Sequence, residues 1–262
     1  MLITTLKSAL VSAHATHLPF PYAYGNHPQI ASLLKPLALS AMAFSQRLRN
    51  CSLLEVEDGL GRITLRLPTH DFSAQRLLPL SEDMVMTELL QANSFLETID
   101  PSESFIKKIV ATDSDLFGAD VYELPEMINK FLERQTNYPP VAKDNITLES
   151  RIVFDFGTKP LLPHTDSGRK VFSLLFPLSC PEFGCIDQVE GTSILKPWIP
   201  SLRSFRSTRF PPILFRTILE TKHEIGNFLA FRKTNHSWHA VYPTCSQRTF
   251  PRLTLLLNVV TK

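Results

Sequence analysis

His164 and Asp166 stand two positions apart in the stretch LPHTDSGRK, between the strand-like runs RIVFDFG and VFSLLFPL. In an extended chain, residues i and i+2 share a face, so an imidazole and a carboxylate would project together from 161–166. Side by side they can chelate one divalent metal, provided a third ligand arrives from elsewhere in the fold. The distant segment NHSWHAVYP offers His236 and His239. His239 lies within the extended piece SWHAV, whereas His236 sits nearer the preceding turn, so His239 is the preferred ligand. Two histidines and one carboxylate on one face of an octahedron leave three positions open for other ligands.

The last apolar run supplies a second kind of chemistry. From Arg252 onward the sequence RLTLLLNVV alternates, with Arg252, Thr254, Leu256 and Asn258 on one face and Leu253, Leu255, Leu257 and Val259 on the other. If the apolar face packs on helices, Arg252 and Thr254 look into the interior. A buried guanidinium is costly without an anion, and a bidentate carboxylate is its natural partner. Arg248, in the loop SQRTFP, is the rival for this role. Taken singly, His164 with Asp166 also reads as a surface hydrogen-bonded pair, His239 as a core histidine and Arg252 as a solvated strand start. The ordered combination favours a site.

That combination of His164-Thr165-Asp166, a distant His239 and Arg252-Leu253-Thr254 resembles the Fe(II)/2-oxoglutarate-dependent oxygenase superfamily. The segments GTSILKP and NFLAF and the opening PFPYAYGN are also similar to it. The resemblance covers about 150–260. It implies that His164, Asp166 and His239 are the metal ligands and catalytic centre, with Fe(II) as the metal. It implies 2-oxoglutarate and O2 as co-substrates, the far carboxylate of the former meeting Arg252 and Thr254, with Ser173 as a further donor. The retained Asp166 points to hydroxylation, or a related desaturation or ring closure, over halogenation. The expected function is oxidation of an unactivated C–H bond of a small molecule, such as an amino acid or natural-product intermediate, with release of succinate and CO2. A protein side-chain hydroxylase of the same superfamily, a cupin-like metal- or sugar-binding barrel, and a non-catalytic jelly roll are the alternatives. Cupins usually present three histidines and a glutamate, which His164-Thr165-Asp166 does not match.

The elements that must position these groups divide the chain. From roughly 27 to 138 most segments favour helix, including PQIASLLKPLALSAMAFSQRL, SEDMVMTELLQANSFLETI, ESFIKKIV and ELPEMINKFLERQ, with apolar residues three and four apart. The exception, SLLEVEDGLGRITLRLP, reads as a hairpin about Asp58-Gly59. From 151 onward seven short strands are expected, RIVFDFG, LLPHTD, VFSLLFPL, GTSILKP, EIGNFLAF, SWHAVYP and LTLLLNVV. The fold class is α+β: a double-stranded β-helix (a cupin-like jelly roll) over 146–262, with a largely helical part over 1–145 packed on it in a single domain. On the first barrel strand Arg151, Val153 and Asp155 share the polar face. Arg151, Asp155 and, beyond the chelate, Arg169 are candidate substrate contacts. A basic loop bearing Arg203, Arg206 and Arg209 could receive an anion over the barrel mouth, though a solvated loop is the simpler reading.

Bulk composition fits this picture. The chain has 262 residues, 44% of them hydrophobic and 20% charged, enough for a substantial core. A formal net charge of +2 gives no electrostatic footprint for nucleic acid. No apolar run reaches membrane-span length, and no secretory leader is expected, so the chain reads as cytoplasmic. Cys51, Cys180, Cys185 and Cys245 fit no strong zinc spacing. Cys180 and Cys185 could hold a metal or a disulfide, but ordinary thiols of a reducing compartment are the expectation.

Overall fold

The computed structural model describes residues 1–50, 62–67, 69–78, 116–135, 140–156, 160–166, 168–179, 190–202, 209–242 and 251–262. Eight strands form the barrel: β6 (Ile146–Asp155), β7 (Leu161–His164), β8 (Lys170–Pro177), β9 (Glu190–Pro197), β10 (Phe215–Lys222), β11 (Asn227–Arg232), β12 (His239–Val241) and β13 (Arg252–Thr261). They divide between two antiparallel sheets. The larger carries the order β11-β8-β13-β6, and the smaller β10-β9-β12-β7. Consecutive strands thus alternate between sheets except at the β9–β10 hairpin. That interleaving is the double-stranded β-helix expected from the sequence.

Five earlier strands correct the expectation of a largely helical N-terminal part. They are β1 (His14–Thr16), β2 (Tyr22–Asn26), β3 (Arg62–Arg66), β4 (Thr69–Asp71) and β5 (Arg76–Leu78). β2 pairs with β11, while β3 and β4 pair with β6, so these strands extend both sides of the large sheet. They are three to five residues long. Strands so short exist because a ladder of unpaired backbone groups already waits beside them, and their own side chains carry little alternation. The arm RITLR of the expected hairpin is therefore β3, whose described partner is β6. The turn at Asp58-Gly59, the helical readings over 81–99 and 103–110, all four cysteines, Arg203, Arg206 and Arg248 lie outside the described residues.

Three α-helices do appear among the described residues: α1 (Leu2–Ser12), α2 (Pro28–Asn50) and α3 (Leu124–Gln135). α2 opens on Pro28, whose fixed φ suits a first helical position, and continues through Pro36. α3 buries Leu124, Met127, Ile128, Phe131 and Leu132, the three- and four-residue spacing of a single apolar stripe. These stripes and the outer face of the large sheet share one core. Ile30, Leu34, Ala38 and Phe44 of α2 join it with Ile152, Phe154, Phe172, Leu174, Leu253, Leu255 and Leu257. β13 lies between β6 and β8 and is buried on both faces, which explains its near-continuous apolar reading. Truncating a leucine at such a position costs roughly 2–5 kcal/mol. No described helix is long and apolar enough to cross a membrane.

The inner face of the large sheet follows from register. Across β2, β11, β8, β13 and β6, one row runs Tyr22, Phe231, Ser173, Asn258, Glu149. The next runs Tyr24, Leu229, Leu175, Leu256, Arg151 and continues to Arg66. A third runs Asn227, Pro177, Thr254, Val153, taken in phase with these pairings, and beyond it Arg252 stands opposite Asp155. Arg252, Thr254 and Leu256 therefore face inward and Leu253, Leu255 and Leu257 outward, as the alternation of β13 required.

Candidate metal centre and anion cleft

His164 closes β7 and His239 opens β12, and the two are directly paired residues of adjacent antiparallel strands. Their rings lie 4.4 Å apart between centroids. Each ring is oriented by the same local device. His164 Nδ1 is 2.8 Å from the Leu162 carbonyl, and His239 Nδ1 is 2.9 Å from the Ser237 carbonyl. A carbonyl can only accept, so each Nδ1 carries the hydrogen and donates it, leaving both Nε2 atoms with a free lone pair.

Asp166 lies two residues past His164, just beyond the end of β7. Its Oδ1 is 4.0 Å from His239 Nε2. One ligand atom from each of His164, Asp166 and His239 falls within 4.8 Å of the others. Lys170 donates to Asp166 Oδ1 at 2.7 Å, and Ser173 Oγ lies 3.1 Å from Oδ2. Ser173 Oγ is also 3.0 Å from the Asn258 side-chain amide. The acceptor there is Asn258 Oδ1, so the single hydroxyl hydrogen of Ser173 is shared between that oxygen and Asp166 Oδ2.

The electrostatics suit a cation. Burial, reinforced by the neighbouring His239, holds the His164 imidazole down to about 3, so it is neutral and able to ligate at physiological pH. Burial alone would raise Asp166, but His239 and Lys170 hold it down to about 2. Two imidazole nitrogens and one carboxylate oxygen, converging with the Nδ1 side of each ring already hydrogen-bonded, fit a divalent transition metal such as iron.

At the other end of the interior, Arg252 is 5% exposed and its Nη2 lies 3.4 Å from Thr192 Oγ1. Thr254 is 4% exposed, and its hydroxyl has no hydrogen-bond partner among the described residues. Both border a narrow cleft with free room of only about 10 Å³, together with Tyr24, Leu175, Thr192 and Leu229. Thr192 owes its place to Gly191. A Cβ there would come within 2.1 Å of Thr221, and the close approach lets Thr221 Oγ1 bind both the N–H and the C=O of Thr192. A buried guanidinium and a buried hydroxyl lacking an acceptor fit a carboxylate.

The remaining candidates are dispersed. Ser173 sits beneath Asp166, six residues along β13 from the level of Arg252, by its pairing with Asn258. Asp155 stands beside Arg252. Arg151 faces inward and donates from Nη2 to Glu149 at 3.0 Å, its Nε buried without a partner among the described residues. Arg169 is exposed, donates to the Thr261 carbonyl and approaches Glu149 at 3.8 Å. His236 is held in the turn before β12, its backbone N–H donating to Thr234 Oγ1, and does not join the cluster. Arg209 is exposed, one residue from Phe210, whose N–H donates to the Pro163 carbonyl beside His164. The sequence reading does not single out Asn258 or Thr192 as site residues, and it takes Lys170, with Arg169, as a receiver of an anionic substrate or a solvated charge. Thr192 carries a readable signal, since it alternates in phase with Ile194 in GTSILKP.

No family model matches the chain, and no curated protein matches it. Solved structures do. A prolyl-4-hydroxylase from Pseudomonas putida is 12% identical with a TM-score of 0.44, the match covering 98% of this chain and 100% of that one. The Fe(II)/(alpha)ketoglutarate-dependent dioxygenase TqaL is 14% identical with a TM-score of 0.49, covering 99% and 86%. A dioxygenase for auxin oxidation from Arabidopsis thaliana is 15% identical with a TM-score of 0.45, covering 92% and 83%. Values of this order fix neither substrate nor reaction for this chain. Its function has to be read from strand order, register and the site residues.

Proposed function

We propose that this protein is an Fe(II)- and 2-oxoglutarate-dependent dioxygenase. In this reading it hydroxylates an unactivated C–H bond of a small molecule, such as an amino acid or natural-product intermediate, releasing succinate and CO2. The observation that carries the reading is the pairing of two sites in one barrel. One is a cluster of two histidines and one carboxylate, with both Nε2 atoms free. The other is a buried Arg252–Thr254 cleft suited to a carboxylate.

His164, Asp166 and His239 hold the iron. Arg252 and Thr254 bind the distal carboxylate of 2-oxoglutarate, Thr254 donating the hydrogen that has no acceptor among the described residues. Thr192, locked by Thr221, steadies the guanidinium. Bound iron, with 2-oxoglutarate and dioxygen, supplies the oxidising chemistry. The protein's part is to orient the imidazoles through Leu162 and Ser237, keep Asp166 ionised, and exclude water behind Phe231 and Ile194. Arg151 and Arg169, both held by Glu149 at the end of the inner row of Asn258, are the substrate contacts, with Asp155 supporting Arg252. The shared core of helices and large sheet supports 1–262 as a single domain.

Anaerobic addition of Fe(II) and then 2-oxoglutarate should produce a metal-to-ligand charge-transfer band in the visible. Under air the same mixture should convert 2-oxoglutarate to succinate. A barrel that binds iron but neither develops the band nor consumes 2-oxoglutarate would return the protein to the cupin-like alternative.

A further inference from the structure

β8 contains an irregularity that re-aims Lys170. Val259 of β13 is opposite Phe172, yet the next residue, Val260, is opposite Lys170. Val171 is thus an extra residue on β8, a bulge. In a regular strand Lys170 would share the face of Phe172 and Leu174, which pack under the helices. With the bulge, Val171 packs against that core and Lys170 turns to the same side as Ser173. The side chain so re-aimed ends on Asp166, its ammonium 2.7 Å from Oδ1. That oxygen is the one 4.0 Å from His239 Nε2.

We propose that Lys170 is a positioning residue that lowers the affinity of the His164–Asp166–His239 cluster for divalent metal by holding a fixed positive charge against the ligating carboxylate. The proposal rests on the reading of that cluster as a metal site. A carboxylate-bound metal lies about 2.0–2.2 Å from its oxygen. With Lys170 Nζ 2.7 Å from the same oxygen, ammonium and metal are necessarily near neighbours. Two effects compete. An outer partner that merely orients a ligand strengthens metal binding, and removing it weakens affinity. A cation beside the ligand repels the metal and withdraws charge from the oxygen that must donate to it. Orientation of Asp166 does not depend on Lys170 alone, because Ser173 engages Oδ2 and is itself tied to Asn258. The charge effect therefore dominates.

The two effects predict opposite signs, and Mn2+ titration of the metal-stripped full chain, read by loss of the free-ion EPR signal, distinguishes them. K170M should bind Mn2+ more tightly than wild type by roughly tenfold or more, while K170R, which keeps the charge, stays within about threefold of wild type. S173A should bind more weakly, by roughly 10-fold or more, as expected for loss of an orienting partner. Equal or weaker binding by K170M overturns the proposal. K170Q carries the same test should K170M fail to give a cooperative melt. H239A tests the parent reading separately. If it binds Mn2+ as well as wild type, the metal site itself is misassigned, whatever Lys170 does.

Discussion

The two ends of the barrel interior are built on opposite plans. At the metal end the polar groups are largely paired in advance. Two carbonyls fix two imidazoles, and lysine and serine take the two oxygens of Asp166. At the Arg252 end a hydroxyl is buried with no partner among the described residues, beside a buried guanidinium. The first plan fixes lone pairs so that they converge, which a small cation requires. The second leaves a buried hydroxyl without a partner among the described residues, beside a cation, which an anion can satisfy on arrival. A barrel prepared for both at once is prepared for a metal and a carboxylate-bearing co-substrate.

The sharpest way to break this contrast is at the metal end. Asp166→Ala or His239→Ala should abolish Fe(II) binding and turnover, an effect larger than the roughly 10–100-fold that follows loss of an outer partner. Isothermal titration with Fe(II) under anaerobic conditions reads it directly.

At the other end, Arg252→Ala should leave metal affinity unchanged and raise the 2-oxoglutarate requirement, by an amount equivalent to roughly 2–5 kcal/mol for a buried charge pair. If Arg248→Ala does this and Arg252→Ala does not, the clamp lies elsewhere.

Acid should separate the ends as well. The depressed His164 means that the unfolded chain takes up a proton, near the ordinary histidine value of 6.5, before the folded one does at about 3. Its contribution to stability is therefore complete above about 6.5 and is lost as pH falls toward 3, with a slope of at most about 1.4 kcal/mol per pH unit. Denaturant melts of the metal-stripped protein across that range should show this slope, and His164→Gln should flatten it.

The smallest effect is expected from Thr254→Val. Removing a hydroxyl that lacks an acceptor should leave stability unchanged or slightly higher. It should weaken 2-oxoglutarate binding by about 1 kcal/mol, the net worth of one hydrogen bond. A loss of stability instead would mean that the hydroxyl serves the fold and not the co-substrate.

The parts of this arrangement that were legible in the sequence are those written in local periodicity. His164 with Asp166, His239 in SWHAV, and the alternation that turns Arg252 and Thr254 inward all depend on residues near one another in the chain. β7 ends one residue after Pro163, earlier than the extended 161–166 reading, yet the two side chains still join one cluster. β10 was missed because FRTILETK lies at a sheet edge and exposes most of its residues, leaving no buried alternation to read. The strand in EIGNFLAF begins only at Asn227, because Gly226 adopts a positive φ and ends a turn. The resemblance makes Ser173 a co-substrate donor. Its position beneath Asp166 depends on the pairing of β8 with β13, a crossing between distant segments that no local pattern encodes. The aim of Lys170 depends on a single extra residue in that same crossing.

A four-stranded jelly-roll sheet ending at β11 and β6 would present two bare ladders of amide and carbonyl groups, each a template for a neighbouring molecule. Here β2 lies along the first and β3 and β4 along the second. The opening segment of the chain thus acts as a seam on both margins of the large sheet, screening the row Phe228, Leu229, Ala230, Phe231 from intermolecular pairing. Its strands contribute few side chains to the chemistry, yet they protect the solubility of the sheet that carries Arg252.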